Sequence, residues 1–251
     1  MIAELLLALA QEAVVPDLAW TATKKDGLEA VYIEYDVGVT LSAICRDRTF
    51  ILALGGLPPA VEGAASRKLE INVRDDVLRS SDWNVAPNSN PSVALSTAPS
   101  IYARRLRSAD TFTVRIPADG ATPARRYQLA LPSDHAALDA VMTSCGVPLE
   151  NVADAAYDPG QSIIVWAQAP RITVPSPLPS VNSADVLVQC GVDGEGRPQD
   201  CAILDEQPAR SGFGRHALQM VRTGRLRQID GAPFQPGSTF ATRMTYRVHD
   251  R

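Results

Sequence analysis

The sequence predicts an α+β fold: a β-rich amino-terminal domain closed by a helix, then a small module of two strands, a helix and a final strand. Three observations carry that expectation. Between residues 30 and 131, short apolar runs with strand-like period recur between turn residues. Residues 133–145 and 211–222 instead repeat apolar side chains at helical spacing. Residues 184–204, ADVLVQCGVDGEGRPQDCAIL, read as two apolar arms folded across a polar turn, with one cysteine in each arm.

The 251 residues suffice for one large domain or two small ones. A hydrophobic content of 45% with 21% charged residues excludes disordered and collagen-like chains. The net charge of −4 comes from 24 basic and 28 acidic residues that are well mixed, so no basic block marks a nucleic-acid footprint. Cys45, Cys145, Cys190 and Cys201 form an even set without a C-x-x-C pair, which favours two disulfides over zinc and places the chain in an oxidising compartment, periplasmic or secreted. Residues 1–10, MIAELLLALA, end in an A-x-A pattern of a signal-peptidase site but lack a basic start and carry Glu4. Residues 1–17 are therefore either a signal peptide or an amino-terminal helix with Ile2, Leu5, Leu6 and Leu9 on one face. Neither this stretch nor any other has the roughly 20 apolar residues of a membrane span.

Residues 18–148 form the β-rich domain. Strands are expected at 30–35, 39–45 and 50–54, with a turn at Asp36-Val37-Gly38 and a stop at Gly55-Gly56. Leu69, Ile71 and Val73 alternate with Lys68, Glu70 and Asn72, a strand with one wet face; residues 111–116 and 127–131 are two further candidates. Ser133 is expected to cap the closing helix, Ala137, Leu138, Val141, Met142 and Cys145 follow at helical spacing, and Gly146 with Pro148 ends it. A Cys45–Cys145 bridge pins that helix to the sheet, worth about 4–5 kcal/mol of chain entropy; the alternative is two unpaired buried thiols. His135 beside Ser133, Asp134 and Asp139 raises a hydrolase reading. First-turn acids suit a helix N-terminus, however, and neighbours in one turn miss the geometry of a nucleophile and its base, so no catalytic residue is assigned. Residues 149–179 read as a Pro-containing linker with one strand at 162–167, kept extended by Pro170, Pro175, Pro177 and Pro179.

Residues 180–251 form the second module. A hairpin symmetric about Glu195-Gly196 sets Gly194 against Arg197 and Cys190 against Cys201. Opposed residues there have Cα atoms about 4.5–5.5 Å apart, within disulfide range. The same register puts Val186, Val188, Cys190 and Val192 on one face with Cys201 and Ile203. Ser211 is the expected cap of a helix whose Phe213, Ala217, Met220 and Val221 cover that face, with Gly224 in the left-handed position at its end. Phe240, Met244, Tyr246 and Val248 then alternate along a closing strand at 239–248.

The order GVDGEGRPQDCAI, GFGRHAL, RLR, DGAP and a closing aromatic strand resembles the C-terminal domain of TonB-family energy transducers, in the cysteine-paired form of alphaproteobacterial envelope proteins. The resemblance spans residues 166–248. The family's aromatic after the helix is replaced around 224–226, and residues 179–184 are a degraded form of its Phe/Tyr-Pro-x-x-Ala; the amino-terminal half is only vaguely similar to small periplasmic β-domains. The resemblance implies a TonB-C-like ββαβ module that captures a short extended segment of an outer-membrane transporter by strand addition. The expected edge is the final strand, with Thr239, Ala241, Arg243 and Thr245 on its more polar face. The alternative is a structural or dimerising envelope protein whose edge is capped by the first domain or a second copy. Energy transduction, which needs a membrane anchor and a long stiff spacer, is not carried over. The G-x-G of GVDGEG sits in a hairpin turn rather than at a helix start, and so is no phosphate cradle. His216 and His249 read as surface residues, and Asp193, Glu195 and Asp200 miss the calcium-loop spacing. No enzyme activity, cofactor or metal is expected.

Overall fold

Strands build most of the amino-terminal half: β1 (Thr21–Lys25), β2 (Leu28–Glu34), β3 (Thr40–Arg46), β4 (Thr49–Gly55), β5 (Ser66–Asn72), β6 (Arg79–Ala86), β7 (Asn90–Ser96), β8 (Thr111–Ile116) and β9 (Arg125–Ala130). Burial alternates clearly along β3, while β1, at one margin, is fully exposed. Two helices accompany them, α1 (Pro99–Leu106) and α2 (Ala136–Ser144). The structure, a computed structural model, describes residues 18–73, 77–86, 90–119, 123–159 and 163–248. The expected signal peptide or helix at 1–17 and His249 lie outside the described residues. The strands pair antiparallel in one sheet of order β1-β2-β3-β4-β7-β6-β5-β8-β9. Just beyond β2, the Tyr35 hydroxyl donates to Ala130 O of β9 at 2.8 Å, so the sheet curls until its two margins approach.

Leu41, Leu52, Leu69, Trp83 and Phe112 fill the curled sheet, with Ile101 and Tyr102 of α1 and Leu138 and Met142 of α2 against them. The Cys45–Cys145 disulfide ties α2 to β3 across a Cα separation of 5.4 Å. At the end of α2, Gly146 adopts φ +77°, its N–H donating to Thr143 O while Val147 N–H reaches Met142 O, a six-to-one closure that needs a left-handed residue. The start differs from expectation. The helix begins at Ala136, and Asp134 Oδ1 rather than Ser133 accepts the Ala136 N–H at 2.8 Å, because a carboxylate two residues upstream closes an Asx turn.

The rest of the chain carries a 3-10 turn (Val152–Ala156), β10 (Ile164–Gln168), β11 (Ser183–Val192), β12 (Pro198–Gln207), α3 (Phe213–Val221), β13 (Arg225–Gln228) and β14 (Thr239–Arg247). β12-β11-β14 form one antiparallel sheet and β10-β13 a second, so at the coarse level the molecule is α+β with antiparallel sheets. The hairpin keeps the expected register in its middle, where Val188 faces Ile203 and Gln189 faces Ala202, and the Cys190–Cys201 disulfide closes over a Cα separation of 4.0 Å. Bulges shift the pairing on both sides. Near the turn Asp193, not Gly194, pairs with Arg197, because Asp193 Oδ1 gathers the N–H groups of Glu195 and Arg197.

α3 covers the predicted face: Phe213, Ala217 and Val221 pack on Val186, Val188 and Cys190. Two expected details change. Gly212, at φ 90°, precedes the helix. Ser211 Oγ still accepts the Phe213 N–H, but Glu206 Oε1 takes the N–H groups of Gly212 and Gly214, a carboxylate at the positive end of the helix. Gly224 is not left-handed; a Cβ there would lie 2.4 Å from Trp166 Cζ3, so it is the close approach of the indole that requires glycine. The opposite face of the sheet meets the first half, where Leu187, Leu204 and Ala241 join the larger core.

Candidate functional site

A three-stranded sheet has two edges, and this one treats them differently. The edge at β12 is closed by α1 and by the segment that follows α2. Gln189 faces Ala202 in a hydrogen-bonded pair, so Ile203 turns its carbonyl outward. Asn151 Nδ2 donates to that carbonyl at 3.0 Å, and Arg104 donates to Leu204 O at 2.9 Å. Arg104, on α1, is held bidentate by Asp154 of the 3-10 turn at 2.6 and 2.9 Å. Beside it Ser100 Oγ and Gln207 Nε2 donate to Asp205 Oδ1, both at 2.7 Å, and Gln207 Oε1 accepts the Phe50 N–H of β4. Burial pushes the Asp205 carboxyl above its ordinary range, and the hydrogen bonds from Ser100 and Gln207 offset part of that. Ala209 N–H to Arg48 O completes the seam.

The edge at β14 is open. Immediately before it Val192 N–H donates to Ser238 O, and immediately after it Val248 N–H donates to Asn182 O, with unbroken register between. Hydrogen-bonded and non-bonded pairs alternate in an antiparallel ladder. Phe240, Thr242, Met244 and Tyr246 therefore bond β11. The N–H and C=O groups of Thr239, Ala241, Arg243 and Thr245, the four residues expected from the sequence, point away from it. Among the described residues no hydrogen bond reaches those outward groups. The four side chains share one face: Thr239 and Ala241 are half-buried, Arg243 and Thr245 exposed, and Thr245 Oγ1 donates to Asp185 Oδ1 at 2.5 Å. On the other face Phe240 meets Trp166 edge-on at 4.9 Å and Tyr246 stacks on Phe213 at 4.4 Å.

His216, expected at the surface, is buried at the rim of that second face, with Nδ1 3.3 Å from Tyr246 Oη and Nε2 2.9 Å from Thr173 Oγ1; desolvation holds its pKa below the usual imidazole value. Ile172 and Val174, the neighbours of Thr173, stand exposed. On the first face, Arg105 lies over the Tyr157 ring at 5.7 Å. Burial raises the Tyr157 hydroxyl to about 12, with the charges of Arg243 and then Arg105 opposing the rise. These two residues border a cleft of about 520 Å³ that Arg79, Tyr102 and Asp158 also line.

The hydrolase arrangement does not assemble. His135 Nδ1 lies 3.2 Å from Asp139 Oδ2, but Asp139 is paired with Arg107. Among the described residues no three His, Cys, Asp or Glu gather as a metal site, and no helix is long and apolar enough to cross a membrane. Both disulfides suit an oxidising compartment. The residues that close the β12 edge were not read from the sequence. Pro99 at the helix start was the available sign of α1. The chain matches no family model, no curated protein and no solved structure.

Proposed function

We propose that the chain is a periplasmic cell-envelope binding protein that captures an extended peptide, of the kind an outer-membrane transporter presents, by strand addition at β14. The observation that carries this reading is the asymmetry of the two edges. The side chains of Arg104 on α1 and of Asn151 beyond α2 cap the outward carbonyls of β12. β14 keeps a row of outward donors and acceptors at Thr239, Ala241, Arg243 and Thr245. Main-chain pairing there supplies affinity, and the side chains on either face of the edge supply selectivity. A bridged hairpin followed by a helix and a last strand that joins the hairpin's sheet accords with the resemblance to TonB-family C-terminal domains, although β13, paired with β10, intervenes between α3 and β14. A structural or dimerising role is the second reading, and Ala241, packed into the larger core, favours it.

Arg243→Pro tests the reading because it removes an outward N–H and leaves the bonds to β11 intact. In a pull-down from an outer-membrane extract, the parent chain retains a partner and the variant loses it. A variant that folds normally and binds as the parent does contradicts strand addition.

A further inference from the structure

Charge is divided unevenly within the second half. Residues 183–207, the hairpin, carry six acids and one arginine, whereas residues 211–248 carry six arginines and only Asp230 as an acid. β14 itself has Arg243 and Arg247 and no acid. Both arginines fall at odd positions, on the same face, and both are exposed. Neither has a carboxylate within ion-pair distance among the described residues. Arg105, whose charge acts on the same Tyr157 hydroxyl as that of Arg243, spends its donors on the carbonyls of Asp154 and Tyr157 and leaves its Nε buried without a partner. β14 therefore brings two arginines and no acid to this side of the edge, and the Asp185 carboxylate of β11 behind them is engaged by Thr245 Oγ1. The other side presents the half-buried Met244 and Tyr246.

Resting on the strand-addition reading, we propose that the peptide taken up at β14 is acidic, with Asp or Glu at alternate positions and small apolar residues between them. In a paired strand, directly opposed residues share a face. Acidic side chains opposite Arg243 and Arg247 then meet the guanidinium groups, and the intervening residues lie beside Met244 and Tyr246. A second copy of this chain is the poorer occupant. Two antiparallel β14 strands would bring the arginines of both onto one face, and like charges in opposition destabilise a strand pair. The same arginines also discourage edge-to-edge aggregation of the free protein.

The test uses the whole chain and three fluorescein-labelled octapeptides that alternate valine with glutamate, glutamine or lysine. The glutamate peptide is expected to bind roughly three- to tenfold more tightly than the glutamine peptide at about 50 mM salt and the lysine peptide most weakly, with the differences shrinking at about 500 mM. Arg243→Gln with Arg247→Gln should abolish the preference, so that the glutamate and glutamine peptides bind alike. Equal binding of all three peptides overturns the acidic preference and leaves strand addition standing. Binding of none, or binding that survives Arg243→Pro, overturns strand addition itself. A dimer in sedimentation that Arg243→Pro dissolves makes a second copy the occupant and overturns the proposal.

Discussion

At the scale of single residues, the seam between the halves sets a cost on charge. The Asp205 carboxyl is 4% exposed and accepts hydrogen bonds from Ser100 and Gln207, with no cation in ion-pair contact among the described residues. Its folded pKa is raised by desolvation. Below about 3.9, the unfolded value, the group is neutral in both states and costs nothing. As pH climbs from there towards the folded pKa, the unfolded chain loses its proton first and stability falls; above the folded pKa the loss is complete. Asp205→Asn stays neutral throughout, so its melting temperature should gain on the parent's between pH 4 and pH 7, measured by thermal denaturation; a gain that runs the other way contradicts a buried, destabilised charge. Arg104 and Asp154 act oppositely. Their side chains are 4% and 12% exposed and paired bidentate, so Asp154→Ala strands a buried guanidinium and should cost about 3–5 kcal/mol in denaturant unfolding, part of which returns when Arg104→Leu is added. Neither residue could be singled out from sequence. Arg104 lies in a run, PSIYARRL, that looks solvated, and its partner is 50 residues away. Asp205 looks like one more surface acid of a hairpin arm.

At the scale of elements, what repeats locally was legible. The period-2 pattern of β11 and β12 and the placement of two cysteines suffice for the central register and the buried face, and the stripe of α3 suffices for its docking. The bulges were not legible, because they follow from Asp193 drawing in Glu195 and Arg197 and from the need to bring Leu204 O to Arg104. The helix caps moved for a similar reason: Glu206 serves the start of α3 only because β12 passes there. One glycine in the hairpin turn is fixed by a neighbour rather than by the turn alone. Gly196 holds φ +75°, and a Cβ on it would stand 2.2 Å from Leu226 O, at the ladder of β10 and β13; Gly194, two residues earlier, has nothing within 4 Å. Gly196→Ala should therefore destabilise by more than about 2 kcal/mol, while Gly194→Ala changes stability by less than about 1 kcal/mol. Equal effects in urea unfolding would show that the docking of β13 on the turn is unimportant.

At the scale of the whole molecule, α1 is the organising piece, buried between β4 and β7 of the large sheet and β12 of the small one. Through it the first half closes one edge of the second sheet and leaves the other open. The Cys45–Cys145 bridge spans 100 residues and braces α2, which packs against the same core; replacing both cysteines with alanine should cost about 4–5 kcal/mol by chain entropy alone, against about 3 kcal/mol for the 11-residue span of Cys190–Cys201. The polar face of the last strand was legible, but the outward direction of the backbone groups of those four residues was not, because it depends on pairing with β11. Amide hydrogen exchange along β14 measures that direction. In the free protein, Thr242, Met244 and Tyr246 should be protected while Ala241, Arg243 and Thr245 exchange quickly; saturating peptide should then slow those three and change the even positions little. Protection already present at the odd positions of the free chain, or none gained on binding, would contradict an open edge that captures a strand.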